Sequence, residues 1–226
     1  MLQESAMAPI ILYDYDASPP CTLVRIVARL VGVELKKVKL NDVIQEVATT
    51  EMTQKNPQRT IPTLDDNGLI IAESRAIAMY LISKYAKDDS LYPSDPSKRA
   101  LVDQRLFFDF DIYGAIGKIW YAVIDGKPAD QTYVDKVNGG LETWNRMLEG
   151  KQWLAGDNIT LADYSAALIV STTQNVPKTE FDPYKYKNIA EWLSRVESSS
   201  QNYADEMKVF RDAVQPHLEK IQKRSK

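Results

Sequence analysis

Near residue 90 the hydrophobic pattern of this 226-residue chain changes period, and one uniform architecture cannot accommodate both parts. Before the change, short apolar runs alternate with helical stretches; after it, only helical spacing remains. Residues 9–13 (PIILY) read as a buried strand. Ser18, Pro19 and Pro20 then form a helix start, a capping hydroxyl followed by proline at the first helical position. Leu23, Val24, Ile26, Val27, Leu30 and Val31 recur at helical spacing until Gly32. Residues 34–40 (ELKKVKL) predict a strand with one wet face, and residues 41–55 a weakly helical polar stretch. Asn67-Gly68, between apolar residues 63–64 and 69–72, signals a hairpin. Glu73 and Ser74 open another helix, with Ile77, Tyr80 and Leu81 on its inner face.

Residues 88–98 (DDSLYPSDPSK) hold two prolines among polar side chains and predict a linker. Residues 100–123 then form a long, aromatic, amphipathic helix, and residues 133–148 a second that ends near Gly150. Thr160 and Asp163 are spaced as a capping box opening an apolar helix through Val170. Residues 188–196 and 203–214 complete a bundle. The prediction is an α/β domain over residues 9–87, a linker over 88–98 and a larger all-α domain over 99–226.

Scarce residues exclude whole classes of chemistry. One cysteine, Cys21, permits neither an internal disulfide nor a multi-cysteine metal site. One histidine, His217, excludes paired-histidine zinc hydrolases and leaves a serine triad without a base outside the last turns of the chain. Neither GxxxxGK[ST] nor GxGxxG occurs, so no phosphate-cradling loop is expected. With 28 basic and 31 acidic residues the net charge is −3, too little positive charge to grip nucleic acid through its phosphates. Residues 1–8 lack the apolar core of a secretory signal. No apolar run approaches the ~20 residues that span a bilayer, so a reduced, cytoplasmic setting without a membrane partner is expected. The chemistry falls to hydroxyls, backbone amides, carboxylates and guanidinium groups, or to a borrowed reagent.

Five segments, in order and spacing, resemble the cytosolic glutathione S-transferase family, most closely its insect delta and epsilon classes. They are Ser18-Pro19-Pro20-Cys21; Asn56-Pro57-Gln58-Arg59-Thr60-Ile61-Pro62-Thr63-Leu64; Glu73-Ser74-Arg75-Ala76-Ile77; Asp88-Asp89-Ser90-Leu91-Tyr92-Pro93; and Ile159-Thr160-Leu161-Ala162-Asp163. The resemblance spans residues 9–215. It implies a thioredoxin-like N-terminal domain that binds glutathione and an all-α C-terminal helical bundle that lines the site of a small hydrophobic electrophile. It also implies a homodimer, with glutathione as co-substrate and no metal or prosthetic group.

On this resemblance Ser18 is the catalytic residue. As a helix cap it sits where negative charge is favoured, so a glutathione thiolate gains from both the dipole and the Ser18 hydroxyl. It acts as a donor, not a nucleophile, since no base is at hand to activate it. Cys21 reads as a buried helix residue; the attacking position of a C-x-x-C motif is Ser18 here, so dithiol exchange is unsupported. Pro62 is implied to be cis, turning the Ile61 backbone toward the tripeptide; the plain reading is an edge-strand proline. Glu73 and Ser74 meet the ammonium and carboxylate of the γ-glutamyl end, while Arg75 either assists or is a surface charge.

Two departures from relatives stand out: Val47 and Arg59 occupy positions that usually hold histidine. Arg59 keeps the ability to bind the glycyl carboxylate; Val47 offers no donor. Tyr113, Ile116, Trp120 and Phe210 are the candidates for the electrophile pocket, or else they are core. The competing reading is a protein that keeps the fold and sequesters hydrophobic ligands with little turnover. Loss of both histidines favours it; retention of Ser18, Pro62, Glu73 and Ser74 opposes it.

Overall fold

The computed structural model describes residues 9–176 and 181–224; the stretch 1–8, read above as lacking an apolar core, lies outside them. The chain divides into two compact units, between Lys87 and Asp88.

In the first unit β1 (Ile10–Asp14), β2 (Leu35–Lys39), β3 (Thr63–Asp66) and β4 (Leu69–Ala72) form one sheet in the order β2-β1-β3-β4. β1 runs parallel to β2 and antiparallel to β3, which is antiparallel to β4. α1 (Pro19–Leu30) buries every residue from Cys21 to Ala28 and packs against α4 (Ser74–Tyr85). The polar stretch before β3 resolves into two short helices, α2 (Val43–Val47) and α3 (Thr50–Lys55), capped by the Asp42 and Thr49 side chains. Asn67 and Gly68 both have positive φ (55° and 91°), as the hairpin between β3 and β4 requires. One expectation is corrected: β2 has no buried face beyond the half-buried Leu35. It is an edge strand whose Lys36, Lys37, Val38 and Lys39 are all exposed, and edge lysines discourage pairing with another chain.

Asp66, at the end of β3, anchors the C-terminal half of α4. Its buried carboxylate accepts hydrogen bonds from Tyr80 Oη (2.6 Å), Lys84 Nζ (2.7 Å), Tyr85 Oη (2.5 Å) and Asn67 Nδ2 (2.7 Å). Burial alone pushes this carboxyl up, but the four donors outweigh it and hold the pKa well below the usual carboxylate range.

The second unit is helical throughout. α5 (Pro96–Ile124) starts inside the stretch expected to be linker, because the Asp95 side chain caps Ser97 and Lys98 and Pro96 fits the first turn. α6 (Gln131–Met147) lies so close to α5 that a Cβ on Gly140 would come within 2.7 Å of Ile112 Cδ1. α7 (Leu161–Thr173) is almost wholly buried. Asp163 at its start accepts from Thr160 N (2.9 Å), Thr160 Oγ1 (3.1 Å), Leu154 N (2.9 Å) and Trp192 Nε1 (2.9 Å). The capping box thus also clamps a loop and α8 (Lys187–Ser199) to α7. A 3₁₀ turn (Pro183–Lys185) precedes α8, and α9 (Gln201–Arg224) continues through Pro216, past the end its periodicity suggested.

Asp66 carries a stability prediction with a defined pH dependence. Its folded pKa is depressed, so its contribution is fully present above the unfolded value of ~4 and is lost as pH falls toward the folded value. Asp66→Asn should lower unfolding free energy by ~1–3 kcal/mol at neutral pH. In urea titrations at a series of pH values, the gap to wild type should narrow once the pH drops below ~4. A constant gap throughout the acid range would show that ionisation of Asp66 contributes nothing.

Candidate active site

One row of the sheet organises the site. Tyr13 pairs with Thr63, and Thr63 with Ala72, so the end of β1, the start of β3 and the end of β4 lie side by side. Three loops leave the sheet at this row: residues 14–18 after β1, residues 59–62 before β3, and Glu73 and Ser74 after β4. Ser18, the Ile61-Pro62 pair, Glu73 and Ser74 therefore share one edge of the first unit. The N-termini of α1 and α4 open at the same edge, and both favour negative charge there.

Ser18 caps α1 with extended backbone (φ −96°, ψ 114°), and its Oγ accepts the Cys21 N–H at 3.4 Å. This contact uses the oxygen as acceptor, so the hydroxyl keeps its proton as a donor. The Cys21 side chain is 0% exposed, and its thiol lies within hydrogen-bonding reach of the Ser18 hydroxyl. Burial, opposed by the Ser18 contact and reinforced by Asp14, pushes its thiol up to about 12.

The loop before β3 is shaped by Asn56, a residue whose role local sequence did not reveal. Its buried side chain donates to Thr60 O (3.0 Å) and Thr63 Oγ1 (2.9 Å) and accepts from Gln58 N (3.0 Å). Thr63 Oγ1 in turn donates to Thr60 O (2.9 Å). These bonds hold exposed Arg59 at φ 55° and precede a cis peptide between Ile61 and buried Pro62. Glu73 is exposed at φ 67°, a conformation that costs a non-glycine residue ~1–3 kcal/mol and recurs at functional positions. Ser74 behind it is buried and Arg75 half-buried. Val47 is buried within α2.

A second group escaped the sequence reading: Asp14, Arg25, Thr22 and Lys39, which lie directly behind Ser18. The only sequence signal was Arg25, flanked by Leu23, Val24, Ile26 and Val27 within the otherwise apolar part of the run LVRIVARL.

In the second unit Tyr113 and Trp120 are half-buried on α5. Ile116 and Phe210 differ: at 0% and 1% exposure they present no surface to a ligand and pack within the helical core. Among the described residues no cluster of three or more His, Cys, Asp or Glu side chains is arranged to hold a metal ion. No described helix is long and apolar enough to cross a membrane.

Comparison with known proteins agrees with this architecture. Residues 12–89 match the family described as Glutathione S-transferase, N-terminal domain, and residues 115–200 match Glutathione S-transferase, C-terminal domain. The chain is 42% identical over 185 residues to glutathione S-transferase D7 of Drosophila melanogaster, covering 80% of this chain and 81% of that one. A glutathione transferase from Bombyx mori superposes with a TM-score of 0.82 at 40% identity, over 90% of this chain and 94% of that one. A glutathione transferase homolog from Drosophila mojavensis, solved with bound glutathione, superposes at 0.80 and 31% identity, over 92% and 95%. A thioredoxin-like unit followed by a helical unit defines the class, a transferase that works with glutathione. The chain belongs to the glutathione S-transferase family.

The buried, unionised Cys21 predicts chemical silence. Iodoacetamide should not modify the native protein at neutral pH, and Cys21→Ala should retain kcat/KM within roughly twofold of wild type. Loss of activity in a folded Cys21→Ala protein would mean that the thiol takes part in the chemistry.

Proposed function

We propose that the chain joins the sulfur of glutathione to small hydrophobic electrophiles, with Ser18 stabilising the thiolate. The thiolate attacks an electrophilic carbon, a C–S bond forms and the leaving group departs with the electron pair. The observation that carries this reading is the capping geometry of Ser18. Its oxygen accepts the Cys21 N–H at the N-terminus of α1, on the edge of the sheet where the helix N-termini gather. A free thiol has a pKa of about 8.5 and is only a few per cent ionised at neutral pH. A charge-assisted hydrogen bond together with a helix N-terminus can supply the ~2.7 kcal/mol needed to lower it by ~2 units.

The remaining contacts follow from chemistry and position. Arg59 holds the glycyl carboxylate, the Ile61 backbone beside Pro62 pairs with the tripeptide like an added strand, and Glu73 meets the ammonium group. Ser74 binds the γ-glutamyl carboxylate, with Arg75 assisting. Tyr113 and Trp120 form the apolar wall for the electrophile.

We also propose a homodimer. Phe107 is 78% exposed and Phe110 52% on α5, and their i,i+3 spacing sets both on one side of the helix, an apolar face of the kind a second copy covers. Phe107→Glu should shift the protein from dimer to monomer in light scattering; a wild type already monomeric at micromolar concentration would refute this assignment.

Ser18→Ala should lower kcat/KM by ten- to a thousandfold near neutral pH, at ~1.4 kcal/mol per decade, and the deficit should shrink as pH rises and the thiol ionises unaided. In the same series Arg59→Ala should raise the KM for glutathione with a smaller change in kcat, because a remote anion contact serves ground and transition states alike. A wild-type pH–rate profile for Ser18→Ala would reduce Ser18 to a helix cap and sink the mechanism.

A further inference from the structure

Two opposite charges lie out of water behind Ser18. The Arg25 guanidinium is 2% exposed and the Asp14 carboxylate 0%. Burying such a pair costs desolvation that a well-packed apolar side chain would avoid, so the pair is a poor device for stability alone. What it achieves is visible in its connections. Arg25 Nη1 donates to Asp14 Oδ1 at 2.5 Å, where the loop bearing Ser18 leaves β1. Arg25 Nη2 donates to Thr22 Oγ1 at 2.9 Å, and that hydroxyl donates to the Ser18 carbonyl at 3.0 Å, where the loop ends. Lys39 donates to Asp14 Oδ2 at 2.6 Å and pairs with Asp16 in the middle of the same loop. The segment from Asp14, the last residue of β1, to Ser18 is thus held at Asp14, Asp16 and Ser18, and one guanidinium spans its two ends.

We propose that Arg25 is a positioning residue for glutathione transfer. Acting through Thr22 and Asp14, it fixes the direction in which the Ser18 hydroxyl points. The inference rests on the reading of Ser18 as thiolate donor. Among the described residues two cations of the network face two carboxylates, Arg25 and Lys39 against Asp14 and Asp16. Its effect on the sulfur runs through alignment of the donor, since the guanidinium reaches Ser18 by way of the Thr22 hydroxyl. Arginine suits this task because its planar fork reaches two acceptors in fixed directions, which an ammonium cannot do.

Thr22→Val keeps the shape of the side chain and removes the relay hydroxyl. Relative to wild type, kcat/KM at neutral pH should fall roughly three- to tenfold, with the KM for glutathione nearly unchanged. The loss should narrow at high pH, and the ultraviolet thiolate band of bound glutathione should titrate at higher pH. Thr22→Ser should restore wild-type behaviour, and Arg25→Lys, which has a charge but no fork, should resemble Thr22→Val. A Thr22→Val protein with a wild-type profile, or with a loss equal at every pH, overturns the positioning role. If Arg25→Lys fails to fold, the Thr22 pair still decides the matter. Ser18→Ala measured alongside separates the two failures. A pH-dependent loss there with a wild-type Thr22→Val profile removes only the role of Arg25, whereas a wild-type Ser18→Ala profile removes both.

Discussion

Reversal of one strand brings the three loops together. β3 runs antiparallel to both neighbours, so its first residue lies beside the last residues of β1 and β4. In a wholly parallel arrangement the segment before β3 would emerge at the opposite edge. The register that creates this meeting is fixed one row inward, where Leu12 pairs with Leu64 and Leu64 with Ile71. Leu12 and Leu64 are both 0% exposed, and a slip of β3 by one residue would turn Leu64 to the other face. An apolar row thus holds in place the adjoining row, Tyr13, Thr63 and Ala72, from which the loops depart.

Helices α1 and α4 extend that control away from the sheet. They pack against each other, and their first turns carry Ser18 and Ser74 to the same edge. At its far end α4 is tied to β3 by Asp66, which receives Tyr80, Lys84 and Tyr85. Fastened there and packed along α1, α4 has little freedom at Ser74, and the positive φ of Glu73 is sustained by this surrounding structure. The buried Asp14–Arg25 pair is a cost of the same kind, borne next to the loop that needs definition and offset by the apolar face of α1.

Features with a local cause were legible in the sequence. The start of α1 follows from Ser18, Pro19 and Pro20; the hairpin from Asn67-Gly68; the start of α7 from Thr160 and Asp163. Each is decided within four residues of chain. Features that depend on distant partners were not. Arg25 meets Asp14 eleven residues away and Asp14 meets Lys39 twenty-five away, and only the folded sheet brings them together. Val38 looks like half of an alternating pattern, yet its strand sits at the sheet edge and no layer covers it. On α5 and α9 helical spacing marks Ile116 and Phe210 as inward-facing, but periodicity does not distinguish a sealed core from the wall of a cavity. Their exposure does.

Cys21 shows how one residue divides its work between backbone and side chain. Its sulfur is buried and held as the neutral thiol, so it contributes packing. Its N–H sits in the first turn of α1, points outward and donates to Ser18 Oγ. A backbone donor at this position would be present whatever the side chain, since every non-proline residue carries it. The hydroxyl it polarises cannot change oxidation state as a thiol in the same place would. The first turn of α1 therefore supplies a fixed donor and a positive dipole end without a redox centre of its own. On the proposed function the reacting sulfur is then that of glutathione, and Cys21 contributes only its backbone and its packing.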